Sequence, residues 1–239
     1  KNITNADIDI EDATQVYDGN AKQPVVLVTA NGKKLEKGKD YVAVYTNNIN
    51  AGNAEITIYG IGEYTGSKKI TFTIFKKKIQ SSDFNIDTET EKYTGKSIKK
   101  KMYSSLREGR DYKVSYKNNK NPGKATIIIT GKGNYNGKIN KTFIINPAKS
   151  VLTKISNMKS GKVKITWKKQ SGVTGYEIQY SKDRKFSKDV KIKKVSTYYQ
   201  TISKLKVKNK YYFKVRAYKN ADGKIVYGAW SKVNTIAVK

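Results

Sequence analysis

Hydrophobic residues in this chain recur at every second position. Ala54, Ile56 and Ile58 are interleaved with Glu55, Thr57 and Tyr59, and Ala125, Ile127 and Ile129 repeat the arrangement. Successive side chains of a strand point to opposite faces, so a two-residue period built from β-branched residues predicts half-buried strands. Tyr112, Val114 and Tyr116 alternate with Lys113 and Ser115, which predicts a strand whose tyrosine face turns inward. No stretch keeps a helical period for three turns. Asn-Asn pairs and glycine clusters punctuate the runs at hairpin spacing. The chain reads as small antiparallel sandwiches.

Two of these sandwiches share one sequence. Asn47–Gly66 reads NNINAGNAEITIYGIGEYTG, and Asn118–Gly137 reads NNKNPGKATIIITGKGNYNG. An offset of 71 pairs Leu35 with Leu106, Asp40-Tyr41 with Asp111-Tyr112, Tyr45 with Tyr116, Gly60 with Gly131 and Phe72 with Phe143. Upstream the offset is 76, pairing Tyr17-Asp18-Gly19 with Tyr93-Thr94-Gly95. The second copy has therefore lost five residues, most simply at the turn Asn31-Gly32, since length changes collect in loops. Leu-x-x-Gly-x-Asp-Tyr, at Leu35–Tyr41 and Leu106–Tyr112, resembles a tyrosine corner, in which a tyrosine bonds back to the preceding connection.

The remainder follows another order. Val163, Ile165 and Trp167 alternate with lysines and a threonine; Tyr176, Ile178 and Tyr180 are split by Glu177 and Gln179. LKVKNKYYFKVRAY (Leu205–Tyr218) and YGAWSKV (Tyr227–Val233) follow. A core Trp on the second strand, a corner tyrosine at Tyr211, the inward run Phe213-Val215-Ala217 and Gly-x-Trp-Ser before the last strand resemble a fibronectin type III domain. Val207-Lys208 stands where that family often has Pro-Gly, which implies a looser turn in the same fold. The first two segments resemble an immunoglobulin-like repeat of surface and secreted proteins of Gram-positive bacteria. Tyr-x-Gly, Gly-x-Asp-Tyr, Asn-Asn-x-Asn, Gly-x-Gly-x-Tyr-x-Gly and the closing Phe-x-Ile carry this resemblance. It implies extracellular display, as spacer or adhesive modules, with no family-wide active site.

The fold class expected is all-β: three consecutive sandwiches, 1–77, 78–147 and 148–239, in an elongated arrangement. Lys76-Lys77-Lys78 and Asn146–Lys149 are short joints, the second with a proline, and favour semi-rigid connections.

Composition narrows the chemistry. The chain has 239 residues with 18 Tyr against 6 Phe, and neither Cys nor His. Disulfides, Cys/His zinc sites, His-based triads and Cys nucleophiles are excluded. No apolar run approaches a membrane helix and no signal peptide opens the chain, so it reads as a mature or internal piece of something larger. Net charge is +30, graded along the chain: +2 over residues 1–78 (11 basic, 9 acidic), +8 over 79–146 (14 and 6) and +20 over 147–239 (24 and 4). Such a field attracts polyanions, although an AT-rich genome also yields lysine.

Candidate motifs are mostly architectural. Gly60-x-Gly62-x-x-x-Gly66 lies between two antiparallel strands, whereas a dinucleotide loop joins a strand to a helix. Asp7-x-Asp9-x-Glu11-Asp12 alternates with Ile8 and Ile10 like an edge strand and lacks the loop glycine and distal Glu of an EF-hand. Ser-x-x-Lys at Ser156–Lys159 and Ser203–Lys206 lacks the partner motifs of an acyl-enzyme. Lys–Asn isopeptide bonds have no distinguishing triad here. Neither a cofactor nor a metal site is implied. The candidate ligand contacts are Tyr212, Lys214, Arg216 and Tyr218, which should face outward on one strand, with Trp230 able to stack on Arg216 or Lys214. Each exposed cation–π contact contributes about 0.5–1 kcal/mol. The same residues also read as a ladder that stiffens the sandwich edge.

These observations predict a non-catalytic extracellular or surface module. It spaces and displays, and adheres to a host protein, a glycan or an anionic wall polymer. The other reading is an accessory segment of an extracellular wall- or carbohydrate-degrading enzyme. Specific nucleic-acid recognition is not expected, since no groove-entering helix or RNP-type sheet is present. Membrane insertion is not expected either, and the chain reads as a monomer.

Overall fold

The computed structural model describes residues 1–239. All regular structure is strand except one 3-10 turn at Ser81–Asp83. Packing divides the chain into two compact units. One comprises Lys1–Asn85, Tyr103–Val114 and Ile129–Ile139; the other comprises Ile86–Met102, Ser115–Ile128 and Asn140–Lys239.

In the first unit, a four-stranded sheet runs Gln15–Val16, Ser67–Phe75, Gly52–Gly60, Tyr41–Thr46. Its first pair is parallel and the others antiparallel. A three-stranded sheet, Asp7–Ile10, Val26–Ala30, Lys33–Lys34, covers it. The two-residue period is realised: Ala54, Ile56 and Ile58 are buried against Val26, Val28, Phe72 and Ile74. Burying one such side chain contributes about 1.5–3 kcal/mol. Asp7–Ile10 is an edge strand with its aspartates exposed and its isoleucines half-buried.

The tyrosine-corner reading of Leu35–Tyr41 is corrected. The back-bond belongs to the aspartate: Asp40 Oδ2 accepts from Glu36 N–H at 3.0 Å. The Tyr41 hydroxyl crosses the core instead and donates to Val26 C=O at 3.0 Å. Asp111 repeats the turn bond with Arg107 N–H at 2.9 Å. A short carboxylate reaches a turn amide four residues back, while the Tyr ring at a strand's first inward position is too long for that and enters the core.

The Asn-Asn pairs divide their labour. Asn47 and Asn118 adopt left-handed backbone, φ 55° and 56°, which asparagine tolerates better than most residues. Asn48 and Asn119 clamp the facing loop. Asn48 Nδ2 donates to Lys22 C=O at 2.8 Å, and Asn119 Nδ2 to Ile98 C=O at 2.7 Å. The carbonyls of Asn48 and Asn119 accept N–H from those same two residues.

The glycine cluster is a hairpin corner closed by its own backbone bonds. Gly60 N–H donates to Gly66 C=O, Ile61 N–H to Asp40 C=O and Tyr64 N–H to Ile61 C=O. A Cβ on Gly60 would lie 2.8 Å from Thr65 N, and Gly62 has φ 62° with Lys39 C=O 2.9 Å from a Cβ position. The start of each repeat then closes on its own corner. Thr65 N–H donates to Lys1 C=O, and Lys77–Lys78 run parallel to Tyr135–Asn136.

The second copy rebuilds the four-stranded sheet as Glu91–Lys92, Lys138–Asn146, Gly123–Gly131, Tyr112–Lys117. Its shorter length falls where expected: Met102–Tyr103 pair with Asn85–Ile86, and no hairpin follows them. Asn134, in the second corner, reaches the first copy. Its Oδ1 accepts from Ala51 N–H and its Nδ2 donates to Asn50 Oδ1, both at 2.9 Å. Tyr17 meets Tyr135 edge-on at 5.5 Å.

In the second unit, Leu152–Met158, Lys162–Trp167 and Tyr199–Ile202 form one sheet of a sandwich. The other runs Lys191–Val195, Gly175–Ser181, Lys210–Ala221, Lys224–Tyr227, with Asn234–Ala237 also paired to the long strand. Trp167, Tyr176, Phe213, Val215 and Ala217 are buried between the sheets. The Tyr211 hydroxyl accepts from Lys206 N–H at 3.2 Å, a back-bond to the preceding connection. Lys208, at the family's glycine position, has φ 64°.

The same unit holds a lysine that the repeat comparison leaves invisible. Lys100 has a side chain 1% exposed, with Nζ 2.6 Å from Glu91 Oε1 and 3.0 Å from Asp87 Oδ2. Burial alone would lower its pKa, but hydrogen bonds to Glu91 and Asp87 outweigh burial and raise it. The backbone N–H of Glu89, then Lys100, lowers that of Asp87. The cluster therefore stabilises the fold at neutral pH. It is lost as pH rises through a Lys100 value above 10.5, or falls through an Asp87 value below 3.8. Removing the cation leaves two part-exposed carboxylates that water can solvate, whereas removing both carboxylates strands a buried ammonium. Thermal melts should therefore rank the Asp87→Ala/Glu91→Ala double variant below Lys100→Met; the reverse order would refute this assignment.

Candidate functional site, a ladder of aromatic rings and cations

The Lys210–Ala221 strand is twelve residues long and has two different neighbours on one side. Residues 218–221 pair with Lys224–Tyr227, and residues 210–213 pair with Asn234–Ala237. Between them an irregular segment is held by Gly228 N–H on Ala217 C=O and Ser231 N–H on Val215 C=O. Ser231 Oγ accepts the Val215 N–H at 3.1 Å in place of a backbone carbonyl. This lays Trp230 across the strand's outer face, where Tyr212, Lys214, Arg216 and Tyr218 alternate with the buried Phe213, Val215 and Ala217.

The rings and cations interleave. Lys214 Nζ lies 4.2 Å from the Phe186 ring centre and 4.7 Å from that of Trp230. Arg216 Cζ lies 4.4 Å from Trp230 and 3.7 Å from Tyr227. Lys194 Nζ follows at 5.8 Å from Tyr227 and 5.3 Å from Tyr218. Four of the five expected residues thus belong to one row. Tyr212 stands apart, with Lys210 Nζ 5.7 Å from its ring, and with Arg184 and Thr235 it lines a separate recess of about 290 Å³.

The row is anchored from beneath. Glu177, which splits Tyr176 from Ile178 in the strand's alternation, is buried. It sits opposite Arg216 in the strand register, and its Oε1 accepts from Arg216 Nη2 at 2.7 Å and Nε at 3.1 Å. Lys194 Nζ lies 3.9 Å from its other oxygen. The covering rings exclude water from a carboxylate that would otherwise stay hydrated.

Phe186 is placed by an aspartate loop. Asp183 accepts from Lys185 N–H at 2.9 Å and from Ser187 N–H at 2.8 Å. Bonds from the Ser187 side chain first, then these amides, hold its pKa down at about 2. Phe186, Tyr227, Lys194 and Glu177 were the members sequence reasoning missed. Only Glu177 carried a signal: it is one of four acids in the last 93 residues and sits mid-strand. Chemically the ladder presents neither a nucleophile–base pair nor an open pocket. It fixes the sheet's face and edge.

Three outcomes follow. Arg216→Ala leaves Glu177 buried without its bidentate partner, so denaturant unfolding should show a loss of about 2–4 kcal/mol. Burial first, then Arg216, lowers the Lys214 pKa, so its charge opposes folding until pH rises past 10.5. Lys214→Met should accordingly be neutral or stabilising at pH 7, and a large loss would contradict the electrostatic account. The Asp183 loop contributes stability above 3.8 and loses it as pH falls through about 2, so acid-induced exposure of Phe186 should begin in that window and disappear in Asp183→Asn.

Residues 150–231 match the family model of the fibronectin type III domain. No curated protein matches the chain. Among solved structures, the chain is similar to the chicken CNTN1 FN1–FN3 domains at TM-score 0.33 and 14% identity, covering 97% of this chain and 98% of that one. A fibronectin type III domain derived from the human KIAA0970 protein gives TM-score 0.29 and 23% identity over 37% of this chain and 72% of that one. A myokine structure gives 0.31 and 15% over 38% and 97%. The matched segment coincides with the sandwich that carries Tyr211, the Gly228–Ser231 segment and the ladder: residues 150–231 are a fibronectin type III domain.

Proposed function

We propose that the chain is a non-catalytic extracellular module of a Gram-positive surface or secreted protein. In this reading two immunoglobulin-like repeats space and display a basic fibronectin type III domain, which adheres to an anionic polymer. One observation carries the adhesive part. Three of the four acids in residues 147–239 are already engaged: Glu177 under the ladder, Asp183 in its own loop and Asp222 with Lys124. With 24 basic residues against those four acids the positive field of that segment is nearly uncompensated, and clustered cations raise the local concentration of polyanions. Lys191 and Lys193 are exposed on the edge strand Lys191–Val195. Edge lysines also block strand addition by another chain.

The ladder supports the display role. Lys214, Arg216, Tyr218 and Trp230 are mutually engaged, and with Tyr212 beside them they form the stiff floor next to which exposed lysines meet a ligand. The test is retention of the full chain on an immobilised sulfated polysaccharide at about 0.15 M salt. Reversal of Lys191 and Lys193 to Glu should lower the eluting salt more than the same reversal of Lys33 and Lys34 in the first repeat. Equal shifts, or passage without retention, would defeat the adhesive reading.

A further inference from the structure

The doubled tyrosine of Tyr-x-Gly has one use in the first copy and none visible in the second. Tyr17 meets the ring of Tyr135 edge-on. Its counterpart Tyr93 is half-buried and lines an open recess of about 330 Å³. Pockets for small ligands start at about 300 Å³, enough for one or two sugar rings. Lys149, Lys168 and Lys169 surround this recess, and none of the three is in an ion pair. No carboxylate lines it. Val151, 52% exposed, adds an apolar strip beside the tyrosine.

The recess is backed by a fixed glutamine. Gln170 is fixed by three bonds: its N–H to the Tyr176 hydroxyl at 2.7 Å, and its Nε2 to Ala148 C=O at 3.2 Å and Ser150 Oγ at 3.1 Å. The amide orientation is set by the Ala148 carbonyl, which can only accept. That leaves Gln170 Oε1 buried without a donor. The wall itself is preformed. Gly228 allows the joint to lie close, a Cβ there falling 2.6 Å from Ala148 C=O, and Lys168 N–H donates to Val151 C=O.

We propose that this recess binds an acidic saccharide, a pyranose carrying a carboxylate or sulfate. The sugar's C–H face lies on Tyr93 and Val151. The anionic group sits among Lys149, Lys168 and Lys169. A bare phosphate or chloride would use the lysines but not the ring, and a neutral sugar would leave the cations idle. The proposal deepens the adhesive reading and rests on it for the presence of such a ligand.

The test is titration calorimetry of the full chain at fixed salt with three probes: a heparin-derived disaccharide, glucuronic acid and neutral glucose. The two acidic probes distinguish sulfate from carboxylate, and glucose should not bind. Lys168→Glu/Lys169→Glu should abolish binding, and Tyr93→Ala should weaken it about tenfold. Tyr93→Phe keeps the ring and should stay within about twofold, which separates stacking from misfolding. Lys191→Glu/Lys193→Glu should leave disaccharide affinity unchanged even though it weakens retention on the polymer. Tyr93→Ala binding like the parent, no binding of either acidic probe, or equal loss in the Lys191/Lys193 variant would each overturn the proposal. The polymer column reports separately on the adhesive reading: retention there with a silent calorimeter sinks this site alone.

Discussion

A carboxylate buried in a segment of net charge +20 governs the third sandwich. Glu177 is buried in a sheet face, and the strand register delivers Arg216 directly opposite, its Nε and Nη2 both on one carboxylate oxygen. A guanidinium so placed is planar and weakly hydrated, so it accepts rings on both faces. Tyr227 and Trp230 both lie against it, and the Gly228–Ser231 segment breaks regular pairing to bring the indole across. Lysines extend the row outward, and Phe186 closes it at one end. The order of dependence runs from a buried anion to the aromatic surface.

The repeats obey a different constraint, backbone satisfaction at loops. Asn48 and Asn119 answer carbonyls of the facing loop, Asp40 and Asp111 answer turn amides, and the glycine corner closes on itself and on its repeat's first residues. These residues recur in both copies because the geometry recurs, and they carry no ligand chemistry. One tyrosine shows how local chemistry sets direction. Tyr45 donates its hydroxyl proton to Pro24 C=O, while Tyr116 accepts from Lys100 N–H at the equivalent place. Proline has no N–H to give, so the bond reverses and the fold is kept.

Much of this was legible in the sequence. Alternation identified the strands, the 71-residue offset identified the shared sandwich, and the Trp167, Tyr211 and Gly228–Ser231 features marked the third. Side-chain reach was less legible. Asp-Tyr told of a corner, but which of the two makes the back-bond depends on length against the core. Nothing in the alternation around Glu177 told of its burial, because the segment that covers it departs from strand pairing. Lys100 had no counterpart to announce it, since the first copy has Pro24 there. Phe186 depended on a loop whose aspartate bonds are local but whose destination is not.

The doubled loop has a last consequence. Ala51 offers an N–H to Asn134, and the residue at the same place in the second copy is Pro122, which has none. The two copies are alike in shape yet unlike in valence: one can receive a neighbour's amide at this loop and the other cannot. Their order along the chain is therefore part of the message. A duplication that began as two interchangeable bricks has become a sequence with a first and a second, written in the presence or absence of a single hydrogen.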